Sequence, residues 1–181
     1  LAGHHGRLLT FVGAPGVGAT RVLSEVHDRL VADRPQSVSR LVGSQATQGT
    51  RFGALSHLIP GELGTSTLPL DAMALYQRIR DMIGTPSTPA ARFVACVDDI
   101  RWLDEGTLGL LTQVLSGQLA TLVATVRDDA ALPEALDTIE RSYRIRRVPV
   151  PPLSRDDTID LVYAVMDSAV EGTTLHRAVH H

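Results

Sequence analysis

The sequence predicts an α/β fold: a three-layer sandwich in which helices cover both faces of a mainly parallel, five-stranded sheet. The first observation behind this is that short β-type apolar runs alternate with longer segments of helical period along the chain. The second is the run Arg92–Asp98, whose continuous apolar character is typical of a strand covered on both faces. Parallel strands bring their carboxyl ends to one edge of the sheet, where open α/β sheets bind ligands.

The chain begins with a predicted strand and a predicted helix that are joined by a glycine-rich turn. Residues 8–12 (Leu-Leu-Thr-Phe-Val) are strand-like, and apolar residues recur at helical spacing over residues 20–31. Residues 37–42 predict a weaker second strand. Residues 52–59 predict a short helix that ends at a Pro-Gly pair.

The middle of the chain contains the clearest amphipathic pattern. Residues 61–69 are rich in Gly, Ser, Thr and Pro, which predicts a loop. A helix then begins after Asp71, a suitable N-cap, and ends before Gly84, which suits a C-terminal glycine position. Residues 85–90 form a predicted turn into the strand Arg92–Asp98.

The remaining third alternates in the same way. The patterns predict a helix over residues 104–116, a strand over 119–126, a helix over 132–142 and a strand near 144–150. A last helix begins at Ser154, where Ser-Arg-Asp-Asp resembles a capping box. We expect residues 1–6 to be a tail or linker remnant, 7–170 the folded domain, and 171–181 a tail or the start of a further element.

The glycine-rich turn carries the first chemical motif. Residues 13–20 match the phosphate-binding pattern G-x-x-x-x-G-K-[ST] at every fixed position except the lysine. In such a loop, backbone N–H groups and the following helix N-terminus converge on one anion, and the Ser or Thr hydroxyl is placed on Mg²⁺. The candidate binding residues are Gly13, Ala14, Pro15, Gly16, Val17, Gly18, Ala19, Thr20 and Arg21. Thr20 is also a candidate metal ligand.

The missing lysine bears directly on this motif. All 17 basic residues of the chain are arginine, so no lysine elsewhere can take the place of Ala19. A charge-assisted contact to phosphate contributes roughly 1.5–3 kcal/mol, so its loss weakens binding by about 10- to 150-fold. A transition state that gathers charge on the transferred phosphoryl group would lose at least as much.

The second motif is a pair of acids at the end of an apolar strand. Asp98 and Asp99 follow Phe93–Val97 directly. In a phosphate-binding α/β fold the first acid, Asp98, would hold Mg²⁺, and the second, Asp99, would orient or deprotonate the attacking water. The simpler alternative is an acidic strand-to-loop exit without a catalytic role.

Arg127 ends the predicted strand 119–126. If that strand neighbours the first one, the Arg127 guanidinium lies beside the phosphates and could sense the γ-phosphate. The alternative is a surface arginine that pairs with Asp128 or Asp129.

Composition limits the partners of the chain. The net charge of −3 spreads over both halves without a basic run, so we expect no direct binding of nucleic acid or of a membrane surface by this part of the protein. The single cysteine, Cys96, has no partner for a disulfide or a zinc cluster. No apolar stretch is long enough to cross a bilayer, and the chain starts at Leu1 without a visible signal peptide. We therefore expect a cytoplasmic fragment of something longer.

These segments together resemble a family. The glycine-rich loop followed by Arg21, the segments 51–55 and 97–104, the strand end 124–127 and the segment 150–155 occur in one order over roughly residues 7–168. They look like the ATPase core of the large LuxR-type transcriptional regulators, which belong to the signal-transduction ATPases with numerous domains. The string Asp-Asp-x-x-Trp-x-Asp at 98–104 is the most specific part.

The resemblance implies a P-loop nucleotide-binding domain that takes ATP or ADP with Mg²⁺. By that resemblance, Gly13–Thr20 and Asp98 would bind the phosphates and the metal. Asp99 would orient the water, and Arg127 would occupy the position of the family's arginine after the fourth strand. Ala19 departs from the family's lysine, so the phosphate-binding (Walker A) loop is degenerate. The DNA-binding modules of the family lie outside this chain.

Three functional hypotheses follow. The first is a regulatory switch domain that binds nucleotide and hydrolyses little, acting on other domains of the same polypeptide and possible as a homo-oligomer. The second is a working Mg²⁺-dependent ATPase in which an arginine replaces the lysine. The third is an interaction scaffold that binds no nucleotide.

Overall fold

The computed structural model describes residues 7–35, 38–58, 73, 76–77, 80–81, 92–129, 134 and 145–166. The strands are β1 (Arg7–Gly13), β2 (Val38–Val42), β3 (Phe93–Asp98), β4 (Ala120–Arg127) and β5 (Ile145–Pro149). The α-helices of these residues are α1 (Ala19–Asp33), α2 (Gln45–Gln48), α3 (Glu105–Ser116) and α4 (Arg155–Met166). Gly53–Leu58 and Ile100–Trp102 are 3-10 helices.

The five strands form one sheet in the order β2-β3-β4-β1-β5, and every neighbouring pair is parallel. Each predicted strand is found within one residue of its expected ends. The predicted α/β class with a parallel five-stranded sheet is therefore confirmed.

Several sequence predictions fall wholly or partly outside the described residues. These are the loop 61–69, the turn 85–90, the tails 1–6 and 171–181, and most of the helices predicted over 71–84 and 132–142. Met73, Tyr76, Gln77, Arg80, Asp81 and Glu134, which belong to those two helices, are helical. Tyr76, which lies within the first of these predicted helices, packs against the core.

The core lies on both faces of the sheet. On one face the strands pack against α3 and the 3-10 segment near Phe52, with Leu55, Leu111 and Leu115 among the buried residues. On the other face they pack against α1, where Leu23 is fully buried beside Val94 and Cys96 of β3. Two covered faces explain why β3 is apolar at successive positions.

Asp104 connects the core to the start of α3. Its Oδ1 accepts the backbone N–H groups of Phe52 (2.8 Å) and Thr107 (2.9 Å), and its Oδ2 accepts the Thr107 hydroxyl (2.6 Å). The side chain is buried, so these three donors compensate the lost hydration of the carboxylate. Asp104 is therefore the N-cap of α3, and it also holds Phe52, the residue before the 3-10 helix Gly53–Leu58, by a hydrogen bond.

The chain divides into two compact units, Leu1–Val150 and Pro151–His181. The first contains the whole sheet. The described part of the second, residues 151–166, contains α4, and Ser154 caps the first turn of this helix, because the Asp157 N–H donates to Ser154 Oγ at 3.1 Å. The predicted folded domain over residues 7–170 stays a prediction.

Candidate functional site

The loop between β1 and α1 has a backbone that requires glycine. Gly16 and Gly18 have φ values of 86° and 92°, in the left-handed region that side chains rarely adopt. The loop also turns back on itself, since the Val17 N–H donates to the Ala14 carbonyl at 3.3 Å. The glycines that the sequence pattern singled out are therefore demanded by the conformation of the loop.

The helix that follows the loop begins without a side-chain cap. Gly18 is the N-cap of α1, and among the described residues no side chain caps the start of this helix. The positive end of the helix dipole and its unpaired N–H groups thus face the loop. This is the arrangement that binds phosphate in strand–loop–helix motifs.

Sheet register brings the acidic motif and the arginine to this loop. Gly13 pairs with Arg127 across β1 and β4, and Val97 pairs with Ala124 across β3 and β4. The neighbourhood of β1 and β4, on which the proposed role of Arg127 depended, is therefore confirmed. The position of Asp98 follows from the same register, one residue beyond Val97.

Asp98 lies at the centre of a polar cluster. Its Oδ1 accepts the hydroxyl of Thr20 at 2.9 Å and the hydroxyl of Thr125 at 2.8 Å. Its Oδ2 lies 3.5 Å from Nη2 of Arg40 on β2. Both oxygens of this carboxylate therefore have partners on other elements of the fold.

Asp99 is held differently from Asp98. It has a left-handed backbone (φ 49°, ψ 68°), and its N–H donates to Thr125 Oγ1 at 2.8 Å. Arg101 Nη2 donates to its Oδ2 at 3.3 Å, while Arg101 Nε lies 3.0 Å from Oδ1 without hydrogen-bond geometry. The Arg101 guanidinium also lies over the Trp102 ring, 4.9 Å from the centroid. The acid expected to activate water is thus paired with an arginine.

The other two arginines near the loop are paired as well. Arg127 makes a two-point contact with Asp129, Nε to Oδ1 at 3.0 Å and Nη2 to Oδ2 at 2.6 Å. The hydrogen bond from Arg127 lowers the pKa of the Asp129 carboxyl. Arg21 is largely exposed, and its Nη2 lies 3.9 Å from Oε2 of Glu25, one helical turn further along α1.

A cavity of about 520 Å³ opens between the loop and the carboxyl ends of β3 and β4. It is lined by Gly13, Ala14, Pro15, Gly16, Gly18, Ala19, Thr20, Arg21, Ser24, Asp98, Asp99, Thr125, Val126 and Arg127. Every predicted site residue except Val17 is in this lining. Val17 instead packs close to Gly13, where a Cβ on Gly13 would lie 2.7 Å from its Cγ2.

Three polar residues of the cluster were not singled out from the sequence. They are Thr125, Arg40 and Arg101. Thr125 could have been found, because strand alternation puts it on the same face as Arg127. Arg40 and Arg101 carry no such local mark, since only the sheet and the turn after β3 bring them to the acids.

The oxygen atoms of the cluster suit Mg²⁺. The Thr20 hydroxyl and the Asp98 carboxylate are hard oxygen donors, and Mg²⁺ commonly takes one or two protein ligands together with phosphate oxygens and water. In the part of the chain that the structure describes, no group of three or more His, Cys, Asp or Glu residues could hold a metal by itself. The donor set therefore fits a metal that is shared with a bound phosphate.

The structure is similar to several solved structures, although the sequence comparisons found no match. No protein-family model and no curated protein matches the chain. One similar structure is AMPPCP-bound DnaA from Aquifex aeolicus, with a TM-score of 0.54 and 12% identity over 98% of this chain and 50% of that one. Another is the Aeropyrum pernix ORC1 protein in complex with DNA, with a TM-score of 0.58 and 17% identity over 89% of this chain and 43% of that one. C. elegans PCH-2 is also similar, with a TM-score of 0.54 and 16% identity over 92% of this chain and 41% of that one.

The chain thus spans half or less of the length of these three proteins. Together with the all-parallel sheet, the comparison shows that the chain has the α/β fold of the matched regions of these solved structures. Among the described residues, no helix is long and apolar enough to cross a membrane.

Proposed function

We propose that this chain is the nucleotide-binding switch domain of a LuxR-type transcriptional regulator, which binds ATP or ADP and hydrolyses it slowly or not at all. One observation supports the proposal: Gly16 and Gly18 have the left-handed backbone that a phosphate-binding loop needs, and Ala19 occupies the position where the pattern has lysine. The backbone can still receive an anion. The side-chain charge that would strengthen binding and catalysis is missing.

Phosphate binding would rest on backbone groups. The N–H groups of Gly16 and of residues 18–20, at the uncapped start of α1, would supply the donors, and they need no side-chain charge. Thr20 and Asp98 would hold Mg²⁺, which screens the phosphate charges when it is bound. We therefore propose nucleotide, with or without Mg²⁺, as the ligand of this cavity.

Slow hydrolysis is supported by the charges around the cavity. Asp99 is paired with Arg101 and Arg127 with Asp129, so the water-orienting acid and the phosphate-sensing arginine both have partners within the chain. Nucleotide would have to break these pairs before either group could act on it. Together with Ala19, the pairing favours occupancy over turnover.

The regulatory role is proposed because the sequence resembles LuxR-type regulators. The order of motifs over residues 7–168 resembles that of the LuxR-type ATPase core. We propose that occupancy of the cavity biases contacts with other domains of the same polypeptide or with a second copy. DNA binding would belong to those other domains, and the protein would be cytoplasmic. Residues 7–170 would form the domain, between tails at 1–6 and 171–181.

Calorimetry with ADP and ATP on the wild type, Ala19→Lys and Ala19→Met tests this function. The lysine variant restores one charge-assisted contact, so we expect its affinity to rise about 10- to 150-fold. The methionine variant has a chain of similar length without charge, and we expect no gain from it. If neither the wild type nor Ala19→Lys binds ADP or ATP, the loop does not bind phosphates, and the scaffold role replaces the switch.

An active Mg²⁺-dependent ATPase is the second candidate. Arg21 and Arg127 both line the cavity, so either could supply the missing positive charge once its carboxylate partner is displaced. Phosphate release from ATP, measured for the wild type and Asp99→Asn, separates the two functions. Mg²⁺-dependent turnover that is lost in the variant would establish the enzyme and overturn the switch without hydrolysis.

A further inference from the structure

The carboxylate that would hold the metal already has a cation beside it. Arg40 Nη2 lies 3.5 Å from Asp98 Oδ2, and the two side chains are 34% and 13% exposed. The other carboxylate oxygen accepts two hydroxyl groups, those of Thr20 and Thr125. The negative charge of Asp98 is therefore compensated at both carboxylate oxygens by groups of the protein itself.

The fold places Arg40 there from a neighbouring strand. Arg40 pairs with Cys96 across β2 and β3, so it lies on the same face as Cys96 and Asp98. Val38, the preceding residue on that face, packs into the apolar cluster under α1. A charged residue at this position interrupts the apolar pattern of the face, and the buried Arg40 Nε has no hydrogen-bond partner in the part of the chain that the structure describes. The pairing with Asp98 is the interaction that compensates the charge.

We propose that Arg40 competes with divalent cations for Asp98, so that the site takes nucleotide with little dependence on Mg²⁺. A guanidinium at 3.5 Å neutralises much of the carboxylate charge that attracts a metal, and it repels a second cation placed nearby. Both side chains are partly buried, so salt and water screen this repulsion less than at an open surface. Arg40 thereby sets the metal requirement of the site.

A purely structural role for Arg40 makes a different prediction. If Arg40 only compensates the buried charge of Asp98, its removal lowers the stability of the fold and leaves metal affinity unchanged. If Arg40 excludes metal, its removal raises metal affinity. The two roles are therefore separated by a binding measurement and not by stability.

Mn²⁺ binding to the nucleotide-free protein, followed by the loss of the free Mn²⁺ EPR signal, is the first measurement. We expect Arg40→Gln and Arg40→Met to bind Mn²⁺ at least about tenfold more tightly than the wild type, because one repelling charge is gone. Arg40→Lys keeps the charge and should stay near the wild type. The control Arg29→Gln removes an exposed arginine that pairs with Glu25 on α1, and it should change nothing.

The location of the effect is tested in the same assay. Adding Asp98→Asn to Arg40→Gln should abolish the gain, because the carboxylate is then absent. Folding of each variant is checked by circular dichroism. If Arg40→Gln does not fold, the Mn²⁺ titration is done on Arg40→Met, which keeps an apolar side chain of similar length. Unchanged Mn²⁺ affinity in folded Arg40 variants would overturn the proposal, as would a gain that persists without Asp98.

The nucleotide half of the proposal rests on the proposed function and is tested separately. Fluorescent ADP is titrated with excess EDTA and with millimolar Mg²⁺. We expect the wild-type affinity to change less than about threefold, and Arg40→Gln to bind at least about tenfold more tightly with Mg²⁺. If ADP binds no variant under either condition, the proposed function fails while the Mn²⁺ titration still decides the role of Arg40. Strong Mg²⁺ dependence in the wild type would overturn the metal-independent site.

Discussion

The Thr125 side chain joins the two acids of the site, and its replacement by valine should destabilise the fold. The hydroxyl donates to Asp98 Oδ1 at 2.8 Å and accepts the Asp99 N–H at 2.8 Å. Thr125 is 5% exposed, so water cannot replace either partner freely. Valine has nearly the same shape, and the substitution therefore removes the two hydrogen bonds without leaving a cavity.

The size of the effect follows from these two bonds. A hydrogen bond to a charged acceptor contributes about 1.5–3 kcal/mol, although Thr20 still donates to the same Asp98 oxygen. The Asp99 N–H would lose its partner at a residue with φ 49°, which adds about 1 kcal/mol or more. We expect a loss of about 2–4 kcal/mol in the free energy of unfolding.

Urea unfolding followed by circular dichroism measures this loss. With a slope of about 2 kcal/mol per molar urea, the midpoint should fall by roughly 1–2 M. The matched control is Thr121→Val, because Thr121 lies on the same strand and face and makes no side-chain hydrogen bond to any residue that the structure describes. It should change stability by less than about 0.5 kcal/mol. Equal midpoints for the two variants would refute the reasoning.

Three further predictions concern the core and the turn beside the acids. The Thr10 hydroxyl is buried and has no hydrogen-bond partner among the described residues, so Thr10→Val should stabilise the protein by about 1 kcal/mol in the same urea assay. Destabilisation would show that the hydroxyl is satisfied. A Cβ on Gly43 would clash with the Asp99 carbonyl oxygen, and Gly43→Ala should cost about 1–3 kcal/mol, whereas Gly49→Ala, in open space, should cost far less. Burial raises the pKa of Cys96 from 9.0 to about 11, so alkylation at pH 8 should be roughly 100-fold slower in the native than in the unfolded protein. Since the unfolded thiol loses its proton first, the free energy of unfolding should fall as the pH rises above 9.0. Rapid native labelling would contradict that burial.

The parts of the site that the sequence predicted are those with local causes. Gly16 and Gly18 could be identified because a loop that folds back on itself requires left-handed backbone, which glycine alone adopts without strain. Asp98 and Asp99 could be identified because they end a continuous apolar strand. The proposed role of Arg127 depended on the strand order, and the pairing of β1 with β4 meets that condition.

The charge pairs could not be predicted in the same way. Arg40 and Asp98 are far apart in the chain, and they meet only because β2 joins the sheet beside β3 in a particular register. The contact of Arg101 with Asp99 depends on the left-handed backbone of Asp99 and the 3-10 turn that follows it. Neither geometry has a local pattern in the sequence.

By itself the sequence determined the alternation of strands and helices, the glycine-dependent loop and the loss of its lysine at Ala19, because periodicity and backbone conformation act over a few residues. The tertiary structure alone decided which charges face one another at the cavity. Strand order and register are set by packing across the whole sheet, and a shift of one residue would turn Arg40 to the opposite face from Asp98. The acids of this site therefore gained their arginine partners through the sheet and the turn after β3, and not through any motif.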